Sequence, residues 1–167
     1  MHTDHDRRYD ASALIPGFLG GLAAAVAGGL AWALIVIKTD YEIGIAAWGI
    51  GFLAGWAVVQ AARGRKGLPL QAVAVLTALF GVALGKYVTF AYIYREAAEA
   101  AGVGAPSYVS GDTVSAFFDN LDVVFGWWDL LWAGLAVAAA WRIPAPDEPS
   151  ALEDRGDALA DADAQSR

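Results

Sequence analysis

The sequence predicts an all-α protein, a four-span transmembrane helical bundle with a short interfacial helix in its outer loop. Three observations lead there. The chain of 167 residues is 57% hydrophobic, with a mean hydropathy of +0.45, whereas soluble domains average roughly 45–50% apolar. The apolar residues gather into four blocks separated by short charged breaks, and each block passes the length of about 18 residues needed to cross a hydrocarbon core. The cations are shared unequally between alternate breaks, as expected of a chain threaded through a membrane. A bundle this small is one packed unit. The expected organisation is a cytoplasmic polar tail at 1–12, a membrane domain at 13–143, and a disordered acidic cytoplasmic tail at 144–167.

The first span is expected over 14–37. Pro16 suits a first helical turn, where its missing N–H costs nothing. Gly17, Gly21, Ala25 and Gly29 recur every four residues and form a ridge of small side chains. The apolar run of about 24 residues exceeds the 7–15 of a signal-peptide core, so the span reads as retained. Lys38, Thr39, Asp40 and Tyr41 make a turn so short that spans one and two must be antiparallel neighbours. Span two, 42–62, carries Gly44, Gly49, Gly51 and Gly55. Gly51 and Gly55 stand one turn apart and Ala47 continues the row, a stripe that lets another backbone come close in lipid.

The basic turn Arg63, Gly64, Arg65, Lys66, Gly67 leads into span three, 68–94, opened by Leu68 and Pro69 and marked by Gly81 and Gly85. That basic turn is chiefly a topology signal, with anionic lipid headgroups as a second reading. The connection at 95–122 is the longest. It holds Glu96, Glu99, Asp112, Asp119 and Asp122. Asp112 is expected to cap a short helix with Phe117, Phe118 and Leu121 on one face, lying on the membrane. Span four, 123–141, is stopped by Pro144, Pro146 and Pro149. Residues 147–167 are acidic, alanine-rich and poor in aromatics, a composition of disorder.

Orientation follows from Lys and Arg. With both termini inside, the inner side holds Arg7, Arg8, Arg63, Arg65, Lys66, Arg142, Arg155 and Arg167, and the outer side only Lys38 and Arg95. Trp127, Trp128, Tyr92 and Tyr94 then fall near the outer boundary and Trp141 near the inner one.

Two ionisable residues fall inside the expected spans, Lys86 in the third and Asp129 in the fourth. At 1.5 Å per residue both sit roughly 9–12 Å below the outer surface. An intramembrane charge costs on the order of 2.5–3.5 kcal/mol on insertion scales, so opposite charges in one layer are expected to meet. Gly126, Ala133, Ala136 and Ala140 share the side of Asp129, and Ala83 and Thr89 flank Lys86, which predicts that both charges point into the bundle. Glu42 is a second candidate partner for Lys86. The cluster reads as a structural clamp, as a proton or substrate site open to the outer side, or as a lysine that snorkels to the headgroups. Gln60, Gln71 and Thr77 lie toward the inner half and could continue a polar path, but three side chains do not make a channel.

The chain has no cysteine, which removes disulfides, thiolate metal sites and cysteine nucleophiles. Its net charge of −7 argues against nucleic acid. Its two histidines, His2 and His5, stand beside Asp4 and Asp6 in the N-terminal tail, where a solvated terminus is the expected state. No Walker loop, HExxH or GxSxG is present, and no cofactor or metal is expected. The expected partners are the lipid bilayer and further copies of the chain or other membrane subunits. The expected function is that of a non-enzymatic membrane scaffold or assembly subunit. The alternative is a small transporter or channel subunit using Lys86, Asp129 and Glu42. Third comes a membrane enzyme using the carboxylates of Glu42 and Asp129 as acid and base.

The run TDYEIGIAAWGIGFLAGWAV, the basic turn after it and then ALFGVALGKY resemble a group of small uncharacterised bacterial integral membrane proteins that share a YEIG…GxGxxxG…LGK stretch. The likeness covers about residues 38–90 and departs from the group at Asp40, where glycine is expected. It implies a bacterial inner-membrane origin and gives weight to Tyr41, Glu42, Gly44, Gly51, Gly55 and Lys86. It implies no activity.

Overall fold

The structure, a computed structural model, describes residues 11–41 and 44–146. It is all-helical, with no strand among the described residues. The helices are α1 (Ala11–Thr39), α2 (Ile45–Ala61), α3 (Leu68–Ala100), α4 (Gly111–Asp119), α5 (Leu121–Val124) and α6 (Trp127–Arg142). The expectations for residues 1–10, including both histidines, for Glu42, and for the acidic tail from 147 onward lie outside the described residues.

Two helices, α1 and α3, are long and apolar enough to cross a membrane, and α2 is a shorter apolar helix. With 17 and 16 residues, α2 and α6 reach about 26 and 24 Å at 1.5 Å per residue, short of a hydrocarbon core about 30 Å thick. Each is shortened at its start. Asp40 turns the chain through the left-handed region with φ 53°, and α2 begins only at Ile45. Phe125 is extended, at φ −110° and ψ 100°, as is Gly126 at φ −83° and ψ 172°, so α6 begins at Trp127 and not at 123. In contrast, α3 runs on to Ala100, because REAAEA is built of good helix formers and the Tyr92 hydroxyl donates to Glu96 Oε1 at 2.7 Å, one turn on.

The four long helices pack with α1 and α6 on opposite sides of the α2–α3 pair, and α4 rests on α3. The interior is made of small side chains: Ala25, Ala33, Ala54, Ala74, Ala78, Ala136 and Ala140 are fully buried. Many bulky apolar side chains point the other way, with Leu19, Leu34, Trp48, Phe52, Trp56, Leu76, Phe80 and Leu130 all exposed, while Trp32, Ile50, Leu70 and Phe117 are buried. This inverts the usual arrangement of a water-soluble core and matches bundles in which small residues let backbones approach.

The glycine rows supply that approach within the chain. A Cβ at Gly29 would overlap the Gly81 carbonyl, and one at Gly81 would lie 2.8 Å from the Ala25 carbonyl oxygen, so α1 and α3 meet backbone to backbone. At Gly85 the neighbour is the Trp32 ring, 2.7 Å away. Gly17 and Gly21 face Leu70, Val58 and Thr77. Gly51 lies against the backbone of Ala136, and Gly55 is 3.2 Å from the Ala140 carbonyl oxygen, which seats α6 on α2.

The α2–α3 turn reverses through Arg63 (φ 58°) and Gly64 (φ 77°). The Gly64 N–H donates to the Val59 carbonyl at 2.8 Å. The Gly67 N–H donates to the carbonyl of Pro144 at 2.8 Å, which ties the chain beyond α6 to the same end. In the long connection, α4 is capped by Ser110, whose Oγ accepts the Thr113 N–H at 3.3 Å, and Asp112 occupies the first turn instead. Phe117, Phe118 and Leu121 do not share a face. Phe117 is buried edge-on against Tyr87 and Phe90 of α3, Phe118 is exposed, and Leu121 belongs to α5.

Candidate functional site

Lys86 follows directly on the Gly81–Gly85 row of α3, where α1 comes closest. It is therefore carried inward, at 6% exposure. Its face is that of Gly81, Val82 and Gly85, all buried. Ala83, expected to flank it, is exposed, and the Thr89 hydroxyl donates back to the Gly85 carbonyl at 3.0 Å. The ammonium Nζ lies 2.9 Å from Asp129 Oδ1 and donates to the carbonyl of Val124 at 3.1 Å. The rings of Trp32 and Phe125 each stand 5.9 Å from it, within cation–π range.

Asp129 arrives by a different route from the one the sequence suggested. It is the third residue of α6, not one deep within a longer span. Its Oδ2 accepts the Gly126 N–H at 2.7 Å, while its own N–H donates to the Gly126 carbonyl at 3.0 Å. A carboxylate there satisfies an N-terminal N–H and lies at the favourable end of the helix dipole. Ala136 and Ala140 on the same side are buried, Ala133 is half-buried, and Gly126 is exposed.

The structure thus brings Lys86 and Asp129 into contact, while Glu42 lies outside the described residues. The pair lines a recess of about 280 Å³ shared with Gly44, Gly126, Trp128 and Trp132. Gly44 abuts the indole of Trp132, leaving no room for a Cβ. Among the described residues no polar path continues toward the other end. Gln71 donates to the Trp141 carbonyl at 2.9 Å, Thr77 bonds back to Val73 and Ala74 of its own helix, and Gln60 is exposed.

Two members of the site escaped the sequence. The Val124 carbonyl joins because the helix breaks after it, and the only signal for that break is Gly126. Trp32 joins because it lies three residues after Gly29 on the ridge facing α3. Its buried Nε1 has no hydrogen-bond partner among the described residues.

Compared with known proteins, the chain matches no family model, no curated protein and no solved structure.

Proposed function

We propose that the chain is a non-enzymatic, multi-pass protein of the bacterial cytoplasmic membrane, a four-helix scaffold or assembly subunit with both termini cytoplasmic. The outward-facing bulky side chains and the small-residue interior support insertion. α2 and α6 pack alongside the two helices long enough to cross, so they share the same layer, and the chain at 121–126 makes up the missing length of α6. The eight-to-two bias of Lys and Arg supports the orientation. The likeness of residues 38–90 to small bacterial membrane proteins supports the compartment. In this reading α4 lies along the outer boundary.

The observation that carries the scaffold reading is the bonding of the charge pair into backbone. Lys86 holds the Val124 carbonyl and Asp129 holds the Gly126 N–H, the two groups flanking the break before α6. Irregular backbone at membrane depth survives only where protein satisfies its polar groups. The pair is then a clamp that lets α6 start below the surface. The recess around it favours a second reading, a small outward-facing binding point in a transporter.

One experiment separates them. Lys86→Met/Asp129→Leu and Gly51→Leu are each expressed, extracted from membranes, and scored by native mass spectrometry for subunit number and by flux in vesicles. The scaffold reading expects the double variant to retain its assembly, with Gly51→Leu, which drives α6 off α2, as the control for lost packing within the chain. Unchanged assembly with abolished flux in the double variant rejects the scaffold reading in favour of transport.

A further inference from the structure

At the end opposite the charge pair, a recess of about 340 Å³ opens between the start of α1 and the α2–α3 turn. Its walls are Ala13 and Pro16 of α1 with Ala61 and Ala62, and its rim carries Arg63 and Arg65. The Arg65 guanidinium is set across it by a 3.1 Å hydrogen bond from Nη1 to Ser12 Oγ. Arg63 is held at φ 58°, which fixes where its side chain leaves the turn. The first turn of α1 contributes its positive end. The facing end of α2 opposes this weakly, because the carbonyls of Val58, Val59, Gln60 and Ala62 are already taken by N–H groups of the turn. Just along α1 from the recess, Ile15, Phe18 and Leu19 are exposed and offer an apolar track.

We infer that this recess binds the phosphate of an anionic phospholipid headgroup from the cytoplasmic leaflet, with its acyl chains along Ile15, Phe18 and Leu19. Two arginines on a concave rim match phosphate oxygens in a way that a flat basic patch does not. The apolar track selects a lipid over phosphate free in solution. The inference rests on the membrane reading above.

The test uses the full chain in detergent, with thermal unfolding and native mass spectrometry in the presence of phosphatidylglycerol, phosphatidylcholine or inorganic phosphate. Wild type is expected to retain and be stabilised by phosphatidylglycerol alone. Arg63→Gln/Arg65→Gln is expected to weaken that binding about 30-fold, at roughly 1 kcal/mol for each cation near an anionic surface, while melting normally in phosphatidylcholine. Arg7, Arg8, Lys66 and Arg142 keep its topological bias. No preference for phosphatidylglycerol in wild type, an undiminished preference in the variant, or stabilisation by inorganic phosphate instead would each overturn the assignment. Alkaline extraction reads insertion separately. A chain that stays with the membrane but shows no lipid preference fails the headgroup site alone, and one that washes off fails the membrane reading.

Discussion

Removing one half of the charge pair is expected to cost more at Asp129 than at Lys86. The two groups are unequally buried, with side-chain exposures of 21% for Asp129 and 7% for Lys86. Asp129→Leu leaves an ammonium in the drier place and also frees the Gly126 N–H. The loss of one partner of a buried pair is worth about 3–5 kcal/mol. Lys86→Met leaves a carboxylate that keeps its bond to Gly126 and some access to water, with the Val124 carbonyl unpaired, for about 1–3 kcal/mol. The double variant removes both charges of the pair and, of the contacts among the described residues, loses the two to backbone at the edge of the recess, about 1–2 kcal/mol. The singles therefore sum to at least about 4 kcal/mol and the double falls at least about 2 kcal/mol below that sum. Reversible unfolding in mixed micelles of rising SDS fraction measures all four corners of the cycle. Additive costs, or a Lys86 variant less stable than the Asp129 variant, would refute the reasoning.

Three further outcomes follow from the packing. Gly51→Leu, driven into the Ala136 backbone, is expected to displace α6 at a cost beyond the usual 1–3 kcal/mol of overpacking, whereas Gly49→Leu, with nothing within 4 Å of its position, keeps the wild-type SDS midpoint. Phe117→Ala, from a site 7% exposed, is expected to cost about 3–5 kcal/mol of local packing and to raise amide exchange in α4 while the α1–α3 contacts stay protected. Because the chain lacks cysteine, Lys66→Cys and Ser107→Cys report topology directly. An impermeant maleimide applied to spheroplasts is expected to label position 107 and spare 66, and labelling of both or the reverse pattern rejects the orientation.

The helices were legible from the sequence because their signals are local. Apolar blocks, the basic turn at 63–67 and the proline after α6 mark where the long segments lie. The glycine spacing also identified the ridge residues, since Gly29, Gly51, Gly81 and Gly85 fall at close approaches between helices. Partners were not legible. A row of small residues says that something comes near and not which helix comes, so contact within the chain and contact between chains look the same in sequence. The start of α6 was missed because Val123, Val124 and Phe125 continue an apolar run without interruption, and hydropathy is blind to backbone dihedrals. The sequence offers Asp112 as the cap of α4 where Ser110 takes it, since either residue type suits the position and a single residue separates them. Lys86 and Asp129 can be named from their charge in an apolar run, but a depth counted from assumed span ends carries the error at the end of α3 for Lys86 and at the start of α6 for Asp129.

That displaced start changes the meaning of the charge pair. Two opposite charges in mid-helix would be replaceable by two apolar side chains of similar size, often without loss. Here the ammonium and the carboxylate each also hold a main-chain group beside a break in the helix, and no apolar side chain offers a donor to Val124 or an acceptor to Gly126. A substitution that restores charge neutrality therefore cannot restore the site, and the residue of about 1–2 kcal/mol expected in the double variant is the backbone's share. Closing the break should remove that share: Gly126→Ala, which favours continuous helix by about 1 kcal/mol, is expected to rescue the double variant and to destabilise wild type, where continued helix would carry Asp129 off its contact with Lys86. Equal effects of Gly126→Ala in the two backgrounds, measured in the same SDS titration, would mean that the pair and the break are independent.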